Sequence, residues 1–387
     1  DKYGNPIKDQ PITGDARYLM LVGLNSEVIF GSMRRARAGD PAEPVQRTVD
    51  AQQPREITVP FSGHTSRTNQ YIPLVYIPQA IGLRVAMSLG SSPYTSWQWA
   101  RVTNLLCYLI VSCVALLLMP RYRGFMALIL LLPPVMFVAS SLMIDGMIIA
   151  WSACFAALLM RIIEHDVRAT GAQLAALGLL AFALLCEKIV YAAVIGLVLL
   201  LGKRVATWKR KVVCMAWFVV PALLIYLPWH AVYGSQLAIV NIADNVTAMI
   251  HNPWRCMSAA LASVFLWPSD FGKLPKRYGV MAAMLLVVWL WLLTRSVLRT
   301  RRRGLHAIAE RRFAIAVIAL ILAEMLATAM FLIVTWNDVS QLSWFAQLQG
   351  LQGRYVLPAL PLLPLTLCTA GTGGARTVWR NKSVARP

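Results

Sequence analysis

Charge is what this sequence has least of. Only 14% of its residues are Asp, Glu, Lys or Arg, against 58% hydrophobic, and its mean hydropathy is +0.59. Soluble domains carry roughly 25% charged and 45–50% apolar residues. A water-soluble fold of this composition would have to hide more apolar surface than its core can take, which leaves a polytopic membrane protein. Other absences narrow the chemistry. The seven cysteines contain no C-x-x-C pair and lie mostly inside apolar runs, where they read as small hydrophobes rather than a disulfide framework or thiolate metal site. His64, His165, His230, His251 and His306 are scattered without ligand spacing, so structural roles are expected. The "GTGGAR" stretch (371–376) follows no strand and reads as a flexible exit, not a phosphate loop. No internal repeat is visible, and the two halves differ in loop length, unlike transporters built from paired broken helices. The chain begins at Asp1 and lacks the two regions of a signal peptide, so the expectation is that a preceding piece with a first span is missing.

The charge that is present is one-sided, with 37 Lys and Arg against 17 Asp and Glu and a formal net charge of +20. It does not form a face for nucleic acid. Basic residues gather in short loops between apolar runs: "RYR" (121–123), "GKRVATWKRK" (202–211), "TRSVLRTRRRGLHAIAERR" (294–312) and the tail "ARTVWRNKSVARP" (375–387). The "RIIEHDVR" loop (161–168) is balanced, and the alternate loops are sparse in charge. That asymmetry puts the basic set in the cytoplasm. Nine spans are expected, over 103–119, 124–140, 144–161, 172–186, 188–203, 212–229, 279–298, 313–335 and 355–371. Together they predict an all-α membrane bundle over 101–372, with an outer loop at 230–278 and a cytoplasmic basic tail at 373–387. Pro133 and Pro134 predict a bend in the second span, facing protein rather than lipid.

Residues 1–100 differ in kind. They are polar, nearly balanced in charge, and hold the loop-like "RAGDPAEPVQRTVDAQQPRE" (37–56). This reads as an extracytoplasmic region. Within it, 72–89 is apolar but broken by Pro73, Pro78 and Arg84, which fits a helix lying in the interface better than a span. "YTSWQW" (94–99) then suits the headgroup level.

With this topology, several ionisable residues fall at the outer ends of spans: Asp145, Glu187, Lys188, Asp270, Asp338 and Arg354, the last beside Tyr355. Facing lipid would cost each about 2.5–3.5 kcal/mol, so they are candidates for one outward polar cavity. Bland readings stand beside that one. Glu187 and Lys188 neutralise each other in a turn, Arg354 snorkels to lipid phosphates, and Asp145 caps the helix it precedes. Glu324 is mid-span, either paired inside the bundle or serving proton coupling.

The stretches "NQYIPLVYIPQAIG" (69–82), "RVTNLL" (101–106), "LLPPVMFVASSLMIDGM" (131–147), "EKIVY" (187–191) and "LQGRYVLPALP" (351–361), in this order over roughly 60–365, resemble a bacterial polytopic membrane family, domain of unknown function 2142. That family in turn resembles membrane glycosyltransferases of the GT-C type. The resemblance implies a bacterial inner-membrane enzyme with an extracytoplasmic loop region and interfacial helices. Such an enzyme transfers a sugar from a polyprenyl-phosphate donor to a glycan or lipid acceptor of the cell envelope. The acidic Asp-Glu-type motif usual after the family's first span has no counterpart here, and Asp15 in "TGDARY" is its nearest stand-in. On this reading Asp15 or Asp145 is the catalytic base. Arg354 and Lys188 take the donor phosphate, with hydrogen bonds from Tyr355 and Tyr191. No metal site is implied, and whether a divalent cation assists is open. The alternative is a transporter or flippase of a lipid-linked glycan or another anionic lipid, for which the same cations would serve.

Overall fold

A computed structural model describes residues 10–18, 54–61, 71–165, 168–203, 205–233, 240–265, 284–295, 306–348, 350–351 and 353–367. Asp270, "GTGGAR", the basic tail and most of the 37–56 loop lie outside them. The chain divides into two units. The first comprises Asp1–Cys107, Ser140–Leu142 and Trp229–Leu237, and the second Tyr108–Ala139, Met143–Pro228 and Ala238–Pro387.

The first unit holds an element that an all-α expectation misses. Strands β1 (Gln10–Asp15) and β2 (Glu56–Phe61) pair antiparallel, with Ile12 opposite Val59 and Thr13 opposite Thr58. The β-branched residues of "PIT" and "EITVP" favour this pleat. In a two-stranded ribbon both strands are edges, so Pro11 and Pro60 are tolerated there. Farther on, a single 3-10 turn (Pro73–Tyr76) leads into the Ile77–Ser88 helix, where Pro78 falls in the first turn and its missing N–H goes unneeded. This helix is built inside out. Ile77, Ile81, Val85 and Leu89, four apart, are exposed, whereas Gln79, Gly82 and Ala86 are buried. The exposed stripe is the face an interfacial helix requires.

Its inner face meets the Pro93–Leu118 helix, where Gly82 lies so close to Thr103 and the Trp99 carbonyl that any Cβ would collide. The buried polar groups answer one another. Gln79 Nε2 donates to Asn104 Oδ1 (3.4 Å), and Asn104 Nδ2 donates to the Ser141 carbonyl (2.9 Å). Arg101 Nε donates to the Ser140 carbonyl (2.9 Å), its guanidinium 4.9 Å from the centre of the Trp97 ring.

The second unit is built around the Asp145–His165 helix, buried along almost its whole length. Gly146, Ala150, Ser152, Ala153, Ala156 and Ala157 give it a small-residue surface that lets neighbours approach closely. It packs on the Gly171–Glu187 helix and, most extensively, on the Leu357–Leu367 segment. Among the described residues, four helices are long and apolar enough to cross a membrane: Pro93–Leu118, Asp145–His165, Trp208–Val232 and Phe313–Trp336. Gly171–Glu187, Ile189–Leu199, Met284–Arg295 and Leu357–Leu367 are apolar but shorter.

Two proline devices shape this unit. At "LPPV" the helix Arg123–Leu130 stops and a new one starts at Pro133. The Leu130 carbonyl would normally accept from the N–H of residue 134, but Pro134 has none. The Tyr108 hydroxyl donates to it instead, at 2.6 Å, and the Leu132 N–H closes a shorter bond to the Ile129 carbonyl (3.2 Å). The expected bend is therefore a break satisfied by protein, as a membrane interior demands. In the last segment, Pro358, Pro361 and Pro364 recur every third residue. That spacing matches a 3-10 helix, and the segment adopts one from Leu357 to Leu367, well beyond the usual 3–4 residues. The prolines thus give a regular backbone of a period other than the α-helix's. Because Pro361 has no N–H, the Pro358 carbonyl is left to accept from Ser152 Oγ (2.7 Å).

Candidate functional site

Asp145 opens the central helix, so its carboxylate lies at the helix's positive end, with the residue only 2% exposed. Two cations approach it from distant parts of the chain. Lys188 stands just after the Gly171–Glu187 helix in an extended conformation (φ −148°, ψ 128°), where the backbone turns into the short 3-10 helix Ile189–Ala192. Its Nζ is 3.6 Å from Asp145 Oδ1. Arg354 lies in the single 3-10 turn Gly353–Tyr355 that precedes the proline segment, with Nη1 3.7 Å from Asp145 Oδ2. The same Nη1 donates to Met143 Sδ at 3.2 Å. Tyr355 serves both cations: Lys188 Nζ is 4.7 Å and Arg354 Cζ 5.4 Å from its ring centre, within cation–π reach.

Charge-assisted hydrogen bonds of this kind close to about 2.7–2.9 Å, so both contacts fall short of full engagement. Among the described residues no donor hydrogen-bonds Asp145 Oδ1. A carboxylate held by nearby charge but not by close hydrogen bonds retains an acceptor position for an incoming hydroxyl.

Around this centre, Glu187 is buried beside Lys188, and Tyr191 is buried one turn on, its N–H donating to the Lys188 carbonyl (3.0 Å). Glu324 is buried on the His306–Trp336 helix. A small cleft lined by Val264, Met325, Thr328, Leu351, Tyr355 and Val356 shares the Tyr355 ring with the cations. Asp338, by contrast, caps the turn Val339–Gln341, accepting from the Ser340 N–H (3.0 Å) and hydroxyl (2.6 Å). No three of the His, Cys, Asp and Glu residues among those described come together as a metal site would need.

Of the residues singled out from sequence, Asp145, Lys188, Arg354 and Tyr355 thus meet. Asp15 belongs to the other unit, at the end of β1. Arg17 holds it closely there, with Nη2 2.7 Å from Oδ2, Nε 3.1 Å from Oδ1, and the Arg17 N–H donating to Oδ1 (2.9 Å). The Arg17 side-chain hydrogen bonds, with its backbone N–H and charge, hold the carboxyl below the usual Asp range despite some desolvation. A carboxylate so engaged is a weak proton acceptor. Two further residues take part, Met143 and Ser152. Met143 carries no signal, since methionine in an apolar run reads as filling. Ser152 does carry one: a hydroxyl two turns from Asp145 in a helix of small apolar residues.

Residues 33–363 match the family model described as "Predicted membrane protein (DUF2142)". No curated protein and no solved structure matches the chain.

Proposed function

The chain belongs to the DUF2142 family of predicted membrane proteins, and from that premise we propose that it is a membrane glycosyltransferase of the GT-C kind. It moves a sugar from a polyprenyl-phosphate donor to a cell-envelope acceptor at the outer face of the bacterial inner membrane. The observation that supports this reading is the meeting of Lys188 and Arg354 on one buried carboxylate, with Tyr355 beneath both. A lipid-linked donor has an anionic head on an apolar tail, and this is a cationic site at the end of apolar segments. Arg354 offers the phosphate a planar fork and Lys188 a point charge. Asp145 is the base. As the acceptor oxygen forms its bond to the sugar's anomeric carbon, the bond from that carbon to the phosphate oxygen breaks, the hydroxyl proton passes to Asp145, and the phosphate leaves against the two cations. Tyr191 and Tyr355 contribute hydrogen bonds to the head. Nine membrane segments, an outer N-terminal region and a cytoplasmic tail complete the reading.

The test is the purified chain in detergent with a polyprenyl-phosphate hexose radiolabelled in the sugar, together with a cell-envelope extract as acceptor. Label moving into the extract is the expected result. Donor that binds but never yields its sugar, and instead crosses between leaflets of reconstituted vesicles, would replace this reading with the flippase. Single cysteines at 250 and 303 check the orientation: labelling from outside is expected at 250 and absent at 303.

A further inference from the structure

The Phe313–Trp336 span is 24 residues long, about 36 Å of helix against a hydrocarbon layer of about 30 Å. Its Trp336 end therefore reaches the headgroup region. The chain beyond it is folded onto its own small core. Val339, Leu342, Leu348 and Leu351 pack with Cys256, Ala259, Ala260 and the last turns of the span. Asn245 fixes the junction, its Nδ2 donating to the Asn337 carbonyl (2.6 Å) while its Oδ1 accepts from the Val339 N–H (3.1 Å).

Between those buried anchors, Trp344 and Phe345 point out, 57% and 70% exposed. Their exposure is imposed. Phe345 has φ 56°, a left-handed conformation that costs a bulky residue energy and that glycine would take freely. Two buried serines of the Pro253–Phe265 helix pin the loop on either side. Ser258 Oγ accepts from the Phe345 N–H (3.3 Å), and Ser263 Oγ donates to the Ala346 carbonyl (3.4 Å) while accepting from the Leu348 N–H (2.9 Å). One turn before Ser258 on the same helix stands Trp254, 75% exposed. From Val339 to Gly353 the chain carries no ionisable residue at all. A loop in bulk water would have little reason to be free of charge, to hold two aromatic rings outward and to tolerate strain in doing so.

We propose that the Trp344–Phe345 tip is an interfacial anchor, inserted among the headgroups of the bilayer the chain itself spans, at the Trp336 end of the 313–336 helix. Aromatic side chains favour that depth, and the tip is continuous with a span that ends there. This inference is independent of the sugar-transfer reading. It is tested in a variant with the native cysteines replaced, carrying one nitroxide at 345 or, with the strained residue left intact, at 344. The protein is placed in nanodiscs of phosphatidylethanolamine and phosphatidylglycerol. A label at 244, where Asp244 is exposed on the Ile242–His251 helix, is the water reference. At 344 and 345, collisions with oxygen are expected to exceed those at 244 severalfold and collisions with nickel-EDDA to fall below them. Nickel access equal to that at 244 would overturn the proposal by placing the tip in water. Shielding from both reagents would overturn it in favour of a protein partner or second copy.

Discussion

Among the described residues Asp15, Asp145 and Glu164 each face an arginine, and the first two are held in opposite ways. Asp15 and Arg17 sit two residues apart at the end of the ribbon, joined by four hydrogen bonds from one residue. Asp145 is buried, its two cations come from segments far away in sequence, and neither closes to hydrogen-bond distance. Water can replace the first pair, so the close geometry there is cheap and contributes little. In the second only the carboxylate is shut off from water, Asp145 being 2% exposed while Lys188 and Arg354 keep 18% and 29%, and the long contacts recover only part of what its burial costs. Under the proposed function that cost would be set against an anionic donor head beside the two cations.

The contrast breaks most visibly at Asp145. Asp145→Asn leaves Lys188 and Arg354 without their shared counter-charge, and removing one member of a buried charge group costs about 3–5 kcal/mol. We expect a lowered melting temperature in detergent, partly recovered by adding Lys188→Met. A melting temperature equal to wild type would mean that Asp145 is as replaceable as Asp15.

Arg354→Lys sharpens the comparison from the other side. It preserves charge but loses the fork, and the loss of such a donor to a developing anion is worth about 2.7–4 kcal/mol in barrier. Transfer from the labelled donor should fall accordingly, with unchanged detergent-stable yield. Wild-type transfer by both Arg354→Lys and Arg354→Ala would reduce Arg354 to a snorkelling anchor.

The smallest effect is expected at Asp15→Asn, about 0.2–1 kcal/mol as for other accessible pairs. Its sign follows from the depressed carboxyl. The stabilisation is present above the ordinary Asp value of about 3.9 and is lost as pH falls through the lower folded value. The protection of the β1–β2 amides, measured against the intrinsic exchange rate at each pH, should therefore fall on acidification in wild type and depend less on pH in the variant.

How much of this could be read from residues alone follows the same physics. The meeting of Lys188, Arg354 and Tyr355 with Asp145 was legible because a charge in an apolar sequence has few places to go. The break at Pro133–Pro134 was legible because a missing N–H is a local fact. The ribbon was not, since β1 and β2 are short and pair across more than forty residues of chain, and no local period announces a two-stranded partner. The 3-10 form of the last segment was hidden for a different reason. Proline every third residue reads at first as irregularity, and only the freed Pro358 carbonyl, taken by Ser152, reveals the repeat as a fit.

That single hydroxyl–carbonyl contact also works as a gauge. Asp145 and Ser152 are seven residues apart on an α-helix, about 10.5 Å of rise. Arg354, in the Gly353–Tyr355 turn, and Pro358, in the Leu357–Leu367 run, are four apart, about 8 Å at the 3-10 rise. Beyond that contact the two segments meet again where Arg354 reaches Asp145, with Nη1 3.7 Å from Oδ2. Adding or deleting one residue between 355 and 357 would shift Arg354 by about 2 Å and rotate the guanidinium by a third of a turn. Length in this stretch is therefore held more tightly than identity. Of all the apolar connections in the chain, this is one where a change that keeps every side chain's chemistry should still be felt at the carboxylate.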